Sequence, residues 1–205
     1  GSVALTGRVP AENLDPSFVT PSYFEMLGAR ASSGRLFLPA DDAEGAPGTV
    51  VVLSHRLWER EFGARPTVVG ETIQLNGVAM QIIGVLSPSF ADLSSTDGPS
   101  ADLFLPTVIA PRLMGQTPRT ESLRLYWGLA RLKPGVSIEA VEQDLAAIAR
   151  QMEGERPATH RGYGLRVQTL SDRIRGAFRT PVLLLLAGSM FILLIGCANV
   201  ASLFL

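Results

Sequence analysis

Cysteine and lysine are almost absent from this sequence. Among its 205 residues there is one cysteine, Cys197, and one lysine, Lys133. A lone cysteine cannot close a disulfide within the chain, and a thiolate metal site needs more than one cysteine. Charged residues make up only 18% of the chain, and the net charge is −1. Because nucleic-acid-binding proteins concentrate positive charge, we expect no nucleic-acid partner.

Motifs that carry catalysis are also lacking. The sequence has no Walker motif, no glycine-rich phosphate loop and no dinucleotide fingerprint. His55 falls in a short predicted helix and His160 in a polar loop, without the spacing of metal ligands. Ser54 precedes His55, but no third orienting group can be named, so we interpret Ser54 as a helix cap. We therefore expect no catalytic, cofactor-binding or metal-binding residue and no enzymatic activity in this chain.

An acidic turn and three aromatic residues are the remaining candidates for a site. The run 41–44, DDAE, could offer oxygen ligands to a cation, but it lacks the spacing of a calcium loop, and we interpret it as a solvated turn. Trp58, Tyr126 and Trp127 could form a binding platform. Aromatic residues on predicted helix and strand faces usually belong to the core, which is the interpretation we prefer.

What the sequence does contain is one long hydrophobic run. Residues 181–205, PVLLLLAGSMFILLIGCANVASLFL, carry no charge. About 24 helical residues extend about 36 Å, and the hydrocarbon core of a bilayer is about 30 Å thick. We predict a transmembrane helix rather than a buried core helix. Its membrane-spanning residues are Val182, Leu186, Phe191, Leu194, Cys197, Asn199 and Leu203.

The residues next to this hydrophobic run bear on the extent of the helix and on its orientation in the membrane. The run reaches Leu205 without a flanking charge, so we expect a truncated helix and a parent protein that continues. Arg173, Arg175 and Arg179 precede it, and positive flanks usually face the cytoplasm. That rule applies to short loops, whereas a folded domain is translocated largely regardless of its charge. The residues alone leave the orientation open.

Local patterns predict alternating elements in the first half of the chain. Asn76-Gly77 lies between two β-prone runs and accepts the positive φ angles of a type I′ turn, so residues 71–86 are predicted to form a hairpin. Capping and glycine signals predict helices, and apolar runs predict strands. The further predictions are helices at 20–28 and 54–63, strands at 50–53 and 102–106, and connectors at 39–48 and 87–100.

The second half has the pattern strand–helix–strand. Strands are predicted at 123–132 and 164–170, and Ser137 caps a helix between them. Its apolar residues recur at helical spacing, at Val141, Leu145, Ile148 and Met152. Such a unit is typical of an α/β or ferredoxin-like sandwich.

Six segments, taken in chain order, resemble one known family. They are VTPSYFEMLGARASSGRLF, VVVLSHRLWEREFGA, GETIQLNGVAMQIIGVL, DLFLP, ARLKPGVSIEAVEQDL and LLIGCANVASLFL. Together they resemble the MacB-type periplasmic core domain followed by the start of an FtsX-like permease helix. The resemblance covers roughly residues 15–205 and is closest to the duplicated permeases described from acidobacteria.

This resemblance implies an α+β fold with a porter-like βαβ sandwich lobe and an inserted, mostly β lobe, the Sabre domain. The implied bounds are 3–48 and 121–172 for the two parts of the porter-like lobe, 49–110 for the Sabre-like lobe and 181–205 for the truncated transmembrane helix. The family places the core domain between its first two membrane helices, outside the cytoplasm. The resemblance thus implies a bacterial inner-membrane protein with a periplasmic domain. This orientation is opposite to the cytoplasmic one that the arginines before the hydrophobic run would favour.

The same resemblance implies the function. The core domain would couple the motion of an ATPase to substrate export or to regulation of a partner. ATP would bind to the ATPase subunit or domain and not to this chain. Further implied partners are the membrane, a second copy or permease half, and a periplasmic adaptor. Two other functions remain open at this point: a single-span, membrane-anchored binding or adaptor module without transport activity, and a membrane-anchored hydrolase using Ser54 or His160.

Overall fold

A computed structural model describes residues 2–6, 12–93, 100–115, 127–160, 162 and 164–203. The fold is α+β, as predicted. Its strands are β1 Val3–Thr6, β2 Glu12–Leu14, β3 Pro16–Val19, β4 Ala31–Gly34, β5 Val50–Leu53, β6 Thr72–Leu75, β7 Val78–Leu86 and β8 Leu103–Pro106. Its helices are α1 Pro21–Met26, α2 His55–Phe62, α3 Ala110–Leu113, α4 Ile138–Glu155, α5 Pro157–His160 and α6 Leu170–Leu203. Short 3₁₀ helices occupy Pro39–Asp42, Pro66–Val68 and Thr107–Ile109.

One mixed sheet contains all eight of these strands. Its order is β2-β1-β6-β7-β5-β8-β3, and β4 pairs with β7 beside this path. Strands β2 and β3 lie at opposite ends of the order, although only Asp15 separates them along the chain. The extended segment 12–19 therefore pairs with β1 through its first half and with β8 through its second half. Through this one segment the strand path returns to its starting point and closes.

Two hydrophobic clusters lie on the two faces of this sheet. The first takes side chains from strands all round the path and includes Val3, Leu14, Leu53, Met80 and Leu105. The second covers the other face of β5, β7 and β8 beneath α1. Side chains alternate between the clusters along β5 and β8, because successive strand residues point to opposite faces. These central strands are thus buried on both sides.

Most predicted elements of the first half are confirmed. The hairpin pairs Thr72 with Gln81 and Leu75 with Val78, and Asn76 and Gly77 have φ angles of 47° and 78°. Helix α2 begins at the Ser54 cap and ends at Gly63, whose φ is 58°. Helix α1 also forms, but its Thr20 makes no side-chain capping hydrogen bond. Of the connector 87–100, residues 94–99 lie outside the described residues.

The two predicted strands of the second half are wrong where the structure describes them. Residues 127–132 and 164–169 form no strand, while residues 123–126 lie outside the described part. Alternating apolar residues favour a strand only when a neighbouring strand completes its hydrogen bonds, and none pairs with these segments in the described residues. Helix α4 forms and is capped by Ser137, whose Oγ accepts the Ala140 amide hydrogen at 3.3 Å. It has no buried residue.

The predicted bounds of the lobes are not visible in the sheet. Strands β1 to β4 come from residues 3–48 and strands β5 to β8 from residues 49–110, yet all of them hydrogen-bond within one sheet. The division into a porter-like and a Sabre-like lobe stays a prediction.

Candidate functional site

A cluster of charges marks the point where the sheet closes. We call it the seam cluster; its charged side chains are those of Glu12, Arg56, Arg60 and Asp102, and Asp15 joins it through its backbone amide and carbonyl. Only 8% of the Asp102 side chain is exposed. The Asp15 amide donates to Asp102 Oδ2 at 3.2 Å, and the Asp102 amide donates to the Asp15 carbonyl at 2.9 Å. This reciprocal pair joins the bend of segment 12–19 to the start of β8.

Helix α2 supplies the cations of the seam cluster. Arg56 and Arg60 are four residues apart and so share one helix face. Arg56 Nη2 lies 2.9 Å and Arg60 Nη1 3.5 Å from Asp102 Oδ1, and Arg60 Nη2 lies 2.9 Å from Glu12 Oε1. Burial lowers the pKa of Arg60, but Asp102, Glu61 and Glu12 together raise it above its ordinary value. The charges of the helix thereby hold it to Glu12, in the first half of segment 12–19, and to Asp102, just before β8.

A second feature surrounds Phe90, on the loop after β7. The Phe90 ring packs against Tyr23, Phe24 and Phe104, with ring centroids 6.4, 6.0 and 5.8 Å away. Tyr23 Oη donates to Asp92 Oδ1 at 2.7 Å, and the Ala101 amide donates to Asp92 Oδ2 at 3.1 Å. These bonds connect the two sides of the loop that leads from β7 to β8.

Open cavities flank Phe90 on both sides. The larger, of about 430 Å³, lies against residues 27–30, and the smaller, of about 190 Å³, lies against residues 54–56. Their walls mix apolar side chains with serine hydroxyls and arginines. They could receive a side chain of another molecule, but they hold no recognisable catalytic arrangement.

The histidines and Ser54 have ordinary structural surroundings. Ser54 Oγ accepts the Leu57 amide hydrogen at 3.1 Å, which confirms it as a helix cap. His55 Nδ1 lies 3.5 Å from a carboxylate oxygen of Glu59, and its ring centroid lies 5.2 Å from that of Trp58. His160 ends helix α5, so its placement in a loop was wrong. Within the described ranges, no group of three or more metal-ligating side chains comes together.

The acidic run 41–44 is only partly the solvated turn that was predicted. Arg35 donates two hydrogen bonds to Asp41, at 2.6 and 3.1 Å, and the Leu38 amide donates a third at 2.7 Å. Asp42 accepts from Thr107 Oγ1 at 2.9 Å and from the Val108 amide at 2.8 Å. The prediction was wrong for both aspartates. Asp41 is bonded within its own segment, whereas the partners of Asp42 lie 65 and 66 residues away, where local sequence does not reveal them.

The three aromatic candidates have different outcomes. Trp58 packs against the first cluster and donates from Nε1 to the Arg65 carbonyl at 2.9 Å, so its assignment to the core is confirmed. Trp127 is 82% exposed, and the same assignment was wrong for it. Tyr126 lies outside the described residues.

The sequence analysis identified Asn76 only as a turn residue and missed its hydrogen bonds to other elements. Asn76 accepts the Ala4 amide hydrogen at Oδ1, at 2.8 Å, and donates from Nδ2 to the Leu113 carbonyl at 3.0 Å. Its own amide donates to the Ala4 carbonyl at 3.0 Å. A side chain that joins β1 to α3 leaves no pattern in the sequence beyond the Asn-Gly pair itself.

Helix α6 contains all seven residues predicted to span a membrane. The side chains of Val182, Leu186, Phe191 and Leu194 are 54–67% exposed. Among the residues that the structure describes, none of the helices has the length and apolar character needed to cross a bilayer. The membrane-spanning assignment stays a prediction.

Three solved structures illustrate the similarity of this fold to known proteins. The extracellular domain of the noncanonic ABC-type transporter YknZ from Gram-positive bacteria matches 78% of this chain and 74% of its own, with a TM-score of 0.52 and 14% identity. The periplasmic region of MacB from Actinobacillus actinomycetemcomitans matches 75% of this chain, with a TM-score of 0.54 and 19% identity; this chain spans 64% of its length. A domain of a putative permease protein from Porphyromonas gingivalis matches 85% of this chain and 77% of its own, with a TM-score of 0.51 and 20% identity.

At these identities the structural matches show a shared fold. No curated protein matches the chain. A family model, described as the MacB-like periplasmic core domain, matches residues 3–148. That range holds the whole sheet, both hydrophobic clusters and the first part of α4. Since it covers well over half of the sequence, the chain belongs to the family of MacB-like periplasmic core domains.

Proposed function

We propose that this chain is the extracytoplasmic core domain of an ABC-type permease, and that it passes motion driven by an ATPase to a substrate or partner outside the cytoplasm. The observation that carries the proposal is the family match over residues 3–148. Similar folds in domains described as parts of an ABC-type transporter and of a permease support it.

Two features suit a domain that transmits motion. The path of the sheet and the seam cluster hold helix α2 and the strands together at several points among the described residues from 3 to 115. Helix α6 then runs for 34 residues without a break, which is about 51 Å at the usual rise. A helix of this length suits the transmission of motion over a distance.

The same proposal assigns residues 181–205 to the inner membrane of a bacterial cell. The uncharged sequence of this run and the exposure of its apolar side chains from Val182 to Ile195 support the assignment. The preceding domain would lie in the periplasm. The ATPase, which binds ATP, would be a separate subunit or domain, and a second permease half or a periplasmic adaptor would complete the assembly.

Cysteine labelling in the full-length permease tests this location. Cys197 is the only cysteine of this chain. The double variant Cys197→Ser, Glu142→Cys therefore carries a single cysteine in this region, at an exposed position of α4. A membrane-impermeant maleimide should react with intact spheroplasts. Labelling only after lysis would place the domain in the cytoplasm and overturn the proposal. The matched control keeps Cys197 alone and should not react in intact spheroplasts.

ATP dependence tests the coupling. In membranes that also contain the ATPase, the labelling rate of Glu142→Cys should change on addition of ATP. A Gly-Gly insertion after Thr169, before α6, should abolish this change while ATP hydrolysis continues. The same insertion after Gly45, in an exposed connector, should leave the change intact. If the labelling rate of Glu142→Cys is independent of ATP in the permease without an insertion, the membrane-anchored adaptor is favoured instead.

A further inference from the structure

The Asn76-Gly77 turn connects more than the two strands of its hairpin. Its carboxamide is held at both ends, by the Ala4 amide at 2.8 Å and the Leu113 carbonyl at 3.0 Å. Both turn residues are exposed to solvent. A side chain that water can reach is thus fixed by two elements that are distant in the sequence, β1 and α3.

An Asn-Gly pair has a chemical reactivity of its own. The backbone nitrogen of the glycine can attack Cγ of the asparagine, because glycine has no side chain to hinder the approach. A new C–N bond forms, the Cγ–Nδ2 bond breaks, and ammonia leaves. Water then opens the resulting succinimide at one of its two carbonyls and leaves aspartate or isoaspartate. The net change is one water consumed and one ammonia released, without an oxidant or reductant.

The contacts of Asn76 oppose the first step of this reaction. The carboxamide has to rotate onto the Gly77 nitrogen, and this rotation breaks the hydrogen bonds to Ala4 and Leu113 together. Release of the Asn76 carboxamide from β1 and α3 must therefore come before attack. Such local opening costs free energy in the folded protein and none in the unfolded chain.

We propose that Asn76 is a deamidation site controlled by the docking of β1 and α3, and that its reaction makes their release permanent. Aspartate at this position has no N–H to donate to the Leu113 carbonyl and places a carboxylate oxygen against it. Isoaspartate also lengthens the backbone within a two-residue turn. Either product weakens the junction between the first strand and the hairpin.

Peptide mass spectrometry of the unaltered chain in detergent tests the proposal. The protein is incubated at mildly alkaline pH, folded and in urea, and the conversion of Asn76 is followed over time. We expect conversion to be at least about ten-fold slower in the folded protein, because local opening limits it. Asn13, which precedes Leu14, should stay intact in both samples and serves as the internal control. Equal rates at Asn76 in the two samples would overturn the proposal.

Two variants separate the two parts of the proposal. Ala4→Pro removes the N–H that holds Asn76 Oδ1, and should accelerate deamidation several-fold in protein that circular dichroism shows to be folded. Folded Ala4→Pro protein that reacts at the unaltered rate would contradict control by β1. Asn76→Asp should lower the melting temperature, as complete ageing of the unaltered protein should, and an unchanged melting temperature in the variant would contradict the loosened junction. If Ala4→Pro does not fold, the folded and urea samples of the unaltered chain still test whether folding slows the reaction at Asn76.

Discussion

At the residue scale, two glycines allow strands β4 and β7 to approach closely. Gly34 pairs with Gly84. A Cβ on Gly84 would overlap the Arg35 carbonyl oxygen, and one on Gly34 would overlap the Ile83 carbonyl oxygen. Gly34 also has a φ of +71°. The neighbours are backbone atoms, which cannot rotate away as a side chain could, so these positions need glycine.

Replacement of Gly84 by alanine should therefore be costly. We expect Gly84→Ala to destabilise the fold by about 2–4 kcal/mol, through displacement of β4 from β7. Gly154→Ala is the matched control, because Gly154 lies in α4 with open space around it and alanine favours helix by about 1 kcal/mol. Urea unfolding followed by circular dichroism measures both. A Gly84→Ala protein as stable as the unaltered one would contradict the close approach.

Asp41 should make stability depend on pH in the acid range. The hydrogen bond from Arg35 lowers the Asp41 pKa below its ordinary value of 3.8, and burial opposes this shift. A lowered folded-state pKa stabilises the fold above the ordinary value, and this stabilisation is lost as the pH falls through the folded-state pKa. The stability advantage over Asp41→Asn should thus be complete near neutral pH and shrink below about pH 4.

Unfolding at a series of pH values measures this advantage. Arg35→Gln removes the largest cause of the shift and leaves the Leu38 amide, so in that background Asp41→Asn should alter the acid limb of the profile less. A difference in stability between the unaltered protein and the Asp41→Asn variant that is constant across the acid range would contradict the assignment.

At the element scale, helix α2 is connected to the sheet by packing and by charge. Leu57 and Phe62 enter the first hydrophobic cluster, while Arg56 and Arg60 reach the seam cluster. Asp102 contacts both arginines and the Asp15 amide. Removing the Asp102 charge takes away the ion-pair partner of Arg56 and one of the partners of Arg60.

Asp102→Asn should therefore cost about 2 kcal/mol of unfolding free energy. Glu12→Gln is the matched control. It breaks one ion pair whose side chains are 35% and 40% exposed, and such a pair contributes less than about 1 kcal/mol. If the two substitutions lower the free energy of unfolding equally, as measured in urea, burial does not make the Asp102 ion pairs more stabilising than the exposed pair of Glu12.

At the scale of the whole molecule, burial is confined to one part of the chain. Every residue described as buried lies between Val3 and Leu113. After Leu113, apolar side chains such as Leu129, Ile148 and Met152 are 40–47% exposed. The large apolar side chains of α6 from Leu183 to Ile195 are 55–74% exposed. Exposed apolar surface of this extent promotes association with other apolar surfaces.

Removal of residues 176–205 should change the behaviour in water. We expect the shortened chain to be monodisperse by size-exclusion chromatography without detergent, whereas the complete chain needs detergent. The melting temperature of the sheet should be the same in both, because its two hydrophobic clusters lie outside the deleted segment. Equal behaviour of the two chains without detergent would contradict the prediction.

The sequence by itself determined the elements whose signals are local. The Asn-Gly turn, the Ser54 and Ser137 caps and the stop at Gly63 depend on neighbouring residues, and all of them form as predicted. The order of family motifs also carried the identification, which the match over residues 3–148 confirmed.

Only the tertiary structure decided which distant segments meet. The closing of the sheet at Asp15, the pairing of Asp102 with Arg56 and the bonds of Asn76 join residues 37–87 positions apart. The same holds for the strands predicted at 123–132 and 164–170, since a strand forms only where another strand completes its hydrogen bonds. The local sequence pattern indicates which secondary structure a segment can adopt, and pairing with distant segments decides whether it forms.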